Sequence, residues 1–532
     1  MNFKKIPLFS ASLLTIASAQ AQNPETKPKM NVLFIAVDDL KPVLGCYGDE
    51  VIKTPNIDKL AANGTVFLQN YCQQAVSGPT RASLMTGKRP DYTKVWDLQT
   101  RMRDINPDIL TIPQYFGQQG YTTMGIGKIY DPRCVGVGSF RDPAMDKESW
   151  TVPYYNTPKS YYYKNEQPVL YYYQSNEAKE MLAKINNMPD MKGKNDFEKS
   201  AYGVELYKPS VECLDLPDNA YNDGAQTDRT LELLTDLSKS DKSFFFAVGF
   251  ARPHLPFVAP KKYWDLYKRE EIPLAKFQEH AKNSPELAYT RSEELLAYTD
   301  IPPLASFTDL KANRIGVDKA KQKEMIHGYY AAVSYVDAQV GRILAKLDEL
   351  GMRKNTIIVL WGDHGWHLGD HDLWCKHTNF ENAARAPMII SMPTIKASKT
   401  SSPTEFVDIF PTLCDLAGLK IPQILDGKSL VPVMKNPSTK VKDYAVSQYP
   451  HEGKMGYSIR TSKYRLTWWM DKGFLSNKAF SRDKIVAKEL YDYVKDPLET
   501  VNVVDEKSYK AIGKDLDKKM MEFFASQRSA IK

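Results

Sequence analysis

Two apolar runs in this chain end on acids. Asn31-Val32-Leu33-Phe34-Ile35-Ala36-Val37 runs into Asp38-Asp39, and Thr356–Trp361 runs into Gly362-Asp363-His364-Gly365. Hard carboxylate oxygens at strand ends suit Ca2+ or Mg2+, and three Asp carry the charge such ions favour. One such Asp is explained equally well by the N-cap of a strand-to-helix turn. Two acidic clusters on two separate runs are not. The histidines concentrate as well: His364, His367, His371 and His377 are four of the eight. The spacing 364/367/371 could set three rings on one helical face for zinc. Gly365 and Gly369 instead write this segment as loop, and no zinc-type cysteine spacing accompanies it.

A third pattern is Ser77-Gly78-Pro79-Thr80-Arg81, continued by Ala82-Ser83-Leu84-Met85-Thr86-Gly87. The first five residues alone could be a capped helix start around a proline. With its continuation, the string resembles the C/S-x-P-x-R-x-x-x-x-T-G signature of the formylglycine-dependent sulfatases, in the alkaline phosphatase superfamily. Thr80 stands where Ser is commoner. The resemblance implies that Ser77 becomes formylglycine, an aldehyde that binds water as a gem-diol. One hydroxyl attacks sulfur and expels the sugar alcohol; the second drives sulfate release. An unmodified serine lacks that second hydroxyl. A serine-type signature further implies, as a partner, a radical maturase acting on Ser77 before export.

The same resemblance assigns Asp38, Asp39, Asp363 and His364 as metal ligands, with modified Ser77 completing the shell of a Ca2+ or Mg2+ ion. Arg81 is assigned to orient the formylglycine. Gly127-Lys128-Ile129-Tyr130-Asp131 is similar to the segment that supplies one sulfate-binding lysine, Lys128. Arg252-Pro253-His254-Leu255-Pro256-Phe257 is similar to the P-H-x-P-F segment, whose histidine, here His254, assists the leaving oxygen. Trp374-Cys375-Lys376, ahead of Asn379-Phe380-Glu381, is similar to the segment of the second sulfate lysine, Lys376. A sulfate whose oxygens gain charge in the transition state needs such a fixed cationic frame. Taken singly, each lysine reads as a solvated surface residue and each histidine as a core group.

Across the mature length the chain resembles the iduronate-2-sulfatase-like branch, through Gly45-Cys46-Tyr47-Gly48, Gln73-Gln74-Ala75-Val76, Ala247-Val248-Gly249-Phe250 and Glu489-Leu490-Tyr491-Asp492. It departs at Asp131, where the branch carries a histidine that contacts the formylglycine hydroxyl. Asp131 as base, a histidine from elsewhere, or a slower step are all open at this point. The expected substrate is a sulfated oligosaccharide of glycosaminoglycan or mucin type. A 2-O-sulfated uronate and a galactose or N-acetylgalactosamine sulfate both remain open, because sugar specificity lives in loops. A phosphoester or phosphonate hydrolase on the same fold is the competing activity.

These residues need elements to position them. The uninterrupted run 31–37 suits a strand buried on both faces of a parallel sheet. Similar strands are expected at Phe244–Phe250, Thr356–Trp361 and Pro387–Met392. Thr54-Pro55 opens a short helix with Thr54 as N-cap. Lys319 to Leu350 carries helical apolar spacing (Ala331, Val333, Val336, Val340, Ile343, Leu344, Leu347) and stops at Gly351. Strands alternating with helices predict an α/β fold, a large mostly parallel sheet sandwiched by helices. Its ligands gather at the carboxyl ends of strands. The insertion 150–215, with eight tyrosines in Tyr154–Tyr173, is either aromatic packing or a substrate platform. Strand-like Tyr457–Thr461 and Tyr464–Trp469, followed by an amphipathic helix, predict a small C-terminal α+β subdomain. The expected domains are a leader 1–21, a catalytic domain 22–437 and a subdomain 438–532.

Composition sets the compartment. Lys4 and Lys5, the apolar stretch Leu8–Ala17 and Ala19-Gln20-Ala21 form a cleavable secretory signal, with a mature start near Gln22. The expectation is an exported protein, periplasmic or secreted, with no membrane-spanning helix. Loss of two lysines and no acid with the leader lowers the formal charge from +7 to +5. No basic run is dense enough for nucleic acid. Six cysteines are scattered without CxxC, so sequence leaves their pairing open.

Overall fold

A computed structural model describes residues 29–135, 145–155, 172–194, 196–302, 317–471 and 482–530. The leader 1–21 and, within the tyrosine-rich insertion, residues 156–171 and 195 lie outside these residues. At its described ends the tyrosines pack inward. The Tyr154 hydroxyl donates to the Gly127 carbonyl at 2.6 Å, and buried Tyr173 donates to Pro209 at 2.7 Å.

Seven strands form the central sheet: β1 (Asn31–Val37), β2 (Thr65–Phe67), β3 (Thr122–Gly127), β4 (Phe244–Phe250), β5 (Thr356–Gly362), β6 (Met388–Ser391) and β7 (Ser398–Thr400). Their spatial order is β7-β2-β6-β5-β1-β4-β3. Four neighbouring pairs are parallel; only β6 runs against both its neighbours. The sheet is therefore mostly parallel, with one reversed strand at Met388–Ser391.

β1 lies in the middle, and its side chains alternate between two cores. Leu33, Ile35 and Val37 join the core that includes the long helix below, while Val32, Phe34 and Ala36 join the core on the opposite face. Burying each such side chain contributes roughly 1.5–3 kcal/mol. That is why an unbroken apolar run is needed here rather than an alternating one.

Five helices matter for the site: α1 (Pro55–Ala61), α2 (Ser77–Thr86), α3 (Asn222–Leu237), α4 (Lys319–Glu349) and α5 (Lys510–Ala530). α4 begins at Asp318, whose carboxylate accepts the Lys321 amide at 2.8 Å, and ends before Gly351 in the left-handed region. Thr54 precedes α1, but its side chain does not cap it. Asp337 of α4 does so instead, accepting the Asn56 amide at 3.1 Å and the Ile57 amide at 2.7 Å. A carboxylate from another helix thus meets the orphan amides and also pins α1 to α4.

The C-terminal unit is a four-stranded antiparallel meander, β8 (Tyr444–His451), β9 (Lys454–Thr461), β10 (Tyr464–Met470) and β11 (Ile485–Asp492), with α5 packed on it. It grips the catalytic sheet through buried charge. Glu381 receives Arg460 at 3.0 Å and Arg465 at 2.6 Å, and the Gln448 amide donates to the Gln73 carbonyl at 2.7 Å. All six cysteines are free. Among the described residues no helix is long and apolar enough to cross a membrane.

Candidate active site

The parallel strands β5, β1, β4 and β3 are neighbours, and each delivers a candidate residue just past its carboxyl end. β1 leads into Asp38-Asp39, β5 into Asp363-His364, β3 into Lys128 and β4 towards His254. Strands of one polarity set these ends side by side, the usual place for ligands in such folds. Gly127 makes the turn that aims Lys128: its φ is +78°, and a Cβ there would stand 2.1 Å from the Gly249 carbonyl oxygen. Only glycine tolerates both demands.

Ser77 is the first residue of α2 and is buried. Its hydroxyl lies 3.3 Å from Asp38 Oδ1 and 3.3 Å from His364 Nε2. One turn on, Arg81 is wholly buried and acts as a four-way clamp. Its Nη2 donates to Asp38 at 2.8 Å, its Nε to Asp363 at 2.9 Å, and its Nη1 to the carbonyls of Lys128 at 2.5 Å and Ile129 at 3.0 Å. Arg81 therefore fixes the two carboxylates and the Lys128 turn; its hydrogen bonds run to these groups, and none to Ser77. The Thr80 hydroxyl donates to the Asp363 carbonyl at 2.9 Å. A serine hydroxyl could make the same bond, which accounts for the tolerance of Thr at this place.

Two lysines flank the acids. Lys128 Nζ donates to Asp38 Oδ2 at 2.5 Å; Lys376 Nζ reaches Asp39 Oδ2 at 3.0 Å and lies 4.7 Å from the Trp366 ring centre. His254 keeps its Nδ1 on the Leu255 carbonyl at 2.6 Å. Its Nε2 is 2.9 Å from Glu294 and 3.7 Å from Asp39. Every residue expected at the site is thus brought to one cluster, buried except at half-buried Lys128 and His254.

The charges act on one another. Burial pushes the Asp38 carboxyl up, but Lys128 and Arg81 outweigh it and hold the group well below the usual range. Asp39 goes the other way: burial, together with repulsion from Asp38, leaves it raised despite His254 and Lys376. Burial disfavours the Lys376 ammonium, yet Asp39 and Glu294 raise its pKa overall. Burial and the Lys376 charge push His377 down to about 3, so this ring is neutral.

The donor set fits a hard divalent cation. Asp39, Asp363 and His364 offer ligand atoms within 4.8 Å of one another, and Asp38 and Asp39 do so with His254. His364 donates Nδ1–H to the Gly365 carbonyl at 2.9 Å, which leaves the Nε2 lone pair facing the acids. Between the two histidines His364 is the better ligand, because His254 Nε2 is turned towards Glu294. His367 instead faces Thr378 at 3.0 Å, and neither it nor His371 enters a candidate cluster among the described residues.

Asp131 is buried and locked by Arg133, which donates Nε at 2.9 Å, Nη2 at 2.7 Å and its amide at 3.0 Å. Burial raises its carboxyl, but the Arg133 hydrogen bonds and Lys128 lower it further. An engaged carboxylate of low basicity is poorly suited to take a proton. Sequence reasoning missed Glu294. Ser292-Glu293-Glu294 reads as an ordinary charged helix start, and its contact with Lys376 spans 82 residues.

With the geometry in place, the chain matches a sulfatase model over residues 30–419 and a model of the C-terminal region of N-sulphoglucosamine sulphohydrolase over residues 369–526. It is 32% identical to iduronate 2-sulfatase of Homo sapiens, covering 94% of this chain and 95% of that one. Among solved structures, one titled as a complex with its substrate D-glucosamine-2-N,6-O-disulfate aligns with a TM-score of 0.69 at 21% identity, over 94% of this chain and 98% of the other. The phosphonate monoester hydrolase of Agrobacterium radiobacter aligns at 0.66 and 22% identity, over 94% and 96%. Likeness at that level of identity carries the fold alone.

Proposed function

The chain belongs to the sulfatase family and hydrolyses sulfate esters of carbohydrates, and from this premise we propose that it removes an O-sulfate from a glycan through formylglycine made at Ser77. The observation that carries the proposal is the place of Ser77. Its Oγ sits 3.3 Å from Asp38, which also holds Lys128, and 3.3 Å from His364, which neighbours the Asp39 that holds Lys376.

Asp38, Asp39, Asp363 and His364 would hold a divalent cation, Ca2+ or Mg2+, which supplies Lewis-acid polarisation of the ester. Formylglycine, when present, supplies a hydrated aldehyde whose hydroxyl is the nucleophile. The rest is done by the chain itself. Arg81 keeps Asp38 and Asp363 in register, so their remaining lone pairs face inward. Lys128 and Lys376, each anchored on one Asp, frame the sulfate oxygens as charge grows on them. His254 offers Nε2–H to the departing sugar oxygen and so spares it from leaving as an alkoxide. Asp131 stays paired with Arg133.

A 2-O-sulfated uronate is the substrate best supported, by 32% identity with iduronate 2-sulfatase over nearly the whole chain. Galactose and N-acetylgalactosamine sulfates are the comparison set. A radical maturase acts on Ser77 before export, and the mature protein, starting near Gln22, works in the periplasm or outside the cell. Its catalytic domain ends near residue 437.

The test is peptide mass spectrometry across Ser77, on protein made with and without the maturase. Oxidation of the alcohol to an aldehyde makes the peptide lighter by about 2 Da. Sulfatase activity should track that loss, with uronate 2-O-sulfate turned over fastest. Full activity on unmodified serine, or preference for phosphate over sulfate esters, would overturn the proposal.

A further inference from the structure

Glu294 lies within the site but has no role in the reading above. It follows Ser292, which sits in the left-handed region at φ 49°, in the short helix Glu293–Leu296. Its carboxylate spans two nitrogen groups. Oε1 lies 2.9 Å from His254 Nε2 and 3.1 Å from Lys376 Nζ; Oε2 lies 2.8 Å from Lys376. Asp39 is the second carboxylate near both, 3.0 Å from Lys376 and 3.7 Å from His254.

Lys376 and His254 are thus shared between two carboxylates. Without Glu294, both would be drawn to Asp39 alone, because an ammonium buried beside one unopposed carboxylate closes on it. That would take Lys376 and His254 away from the departing sugar oxygen and consume Asp39 lone pairs. The His254 ring is already tied at Nδ1 by the Leu255 carbonyl, and among the described residues it is Glu294 that holds its other edge at hydrogen-bond distance.

Resting on the sulfatase reading, the geometry points to Glu294 as the positioning residue of the leaving-group side, a counter-anchor that holds His254 and Lys376 off Asp39 and aimed at the ester oxygen. A residue in this role matters most when the leaving group needs help. A sugar alkoxide is a poor leaving group that needs a proton; an activated phenolate departs without one.

The experiment compares wild type, Glu294→Gln and Glu294→Asp, all carrying formylglycine, on a sugar sulfate and on a series of aryl sulfates of graded acidity. In Glu294→Gln, kcat for the sugar sulfate should fall about 100-fold, the usual scale of lost general acid assistance, with KM not raised. Activated aryl sulfates should fall by less than roughly tenfold, so dependence on the leaving group steepens. Glu294→Asp retains the charge but reaches only one of the two side chains, and should lie between. An equal loss on all substrates would make Glu294 merely structural and overturn the inference. So would a gain in turnover, which would make it an obstruction. Wild type inert on every sulfate ester would instead overturn the functional reading itself, and the inference with it.

Discussion

Glu489 gives a prediction whose size can be worked from the structure. It lies on β11, wholly buried, where Trp469 Nε1 donates to Oε2 at 2.7 Å and the Tyr491 hydroxyl to Oε1 at 2.8 Å. Burial pushes its carboxyl from an ordinary 4.5 up to about 7; the Trp469 and Tyr491 bonds oppose this, and Glu499 adds repulsion. Between those two values the native state keeps a proton that the unfolded chain has lost. Stability then falls as pH rises, and the contribution present below pH 4.5 is gone once pH passes 7. The whole loss is about 3 kcal/mol. Glu489→Gln removes the charge and keeps the shape, with Oε1 replaced by an amide that the Tyr491 oxygen can accept. Urea unfolding of both proteins from pH 4.5 to 8 is the assay, because every other titrating group cancels in the difference. The variant should match wild type at the acid end and exceed it by about 3 kcal/mol at the basic end. A difference that stays flat with pH, or a variant weaker than wild type at pH 8, would refute the reasoning.

Two further outcomes follow from the site. Arg81→Met leaves Asp363 buried without its arginine and Asp38 with Lys128 alone, so the metal-free protein should lose about 3–5 kcal/mol in urea unfolding. A loss under about 1 kcal/mol, the scale of a surface ion pair, would contradict the clamp. Chelation of divalent metal should lower Tm, and readdition of Ca2+ at a hundredfold excess over Kd should restore about 3 kcal/mol. A Tm indifferent to chelator would remove Asp38, Asp39, Asp363 and His364 as ligands.

How much of this was legible in the sequence depended on whether a residue's role was local. Asp38, Asp39, Asp363 and His364 could be picked out because each pair terminates an apolar run, and a parallel sheet brings such ends together without further information. Lys128, His254 and Lys376 could be found only through their surrounding segments, since nothing in a lone lysine separates a buried cation from a solvated one. Glu294 and Asp337 were illegible for one shared reason. Each does its work on a residue 40 to 281 positions away, so its neighbours in sequence carry no trace of it. The reversed strand β6 was hidden likewise. Its apolar run satisfies a buried strand of either polarity, and direction is set by the connection rather than by the run.

The charge on Glu294 bears on which ester the cluster suits. Its carboxylate lies against Lys376 and His254, with Asp38, Asp39 and Asp363 close by. A phosphate monoester brings more negative charge than a sulfate monoester, so every carboxylate in the cluster weighs more heavily against the phosphate. Glu294→Gln removes one of those charges without changing the shape of the side chain. It should accordingly narrow the preference for sulfate over phosphate esters at the same time as it slows the sugar sulfate; a preference left unchanged would contradict this account.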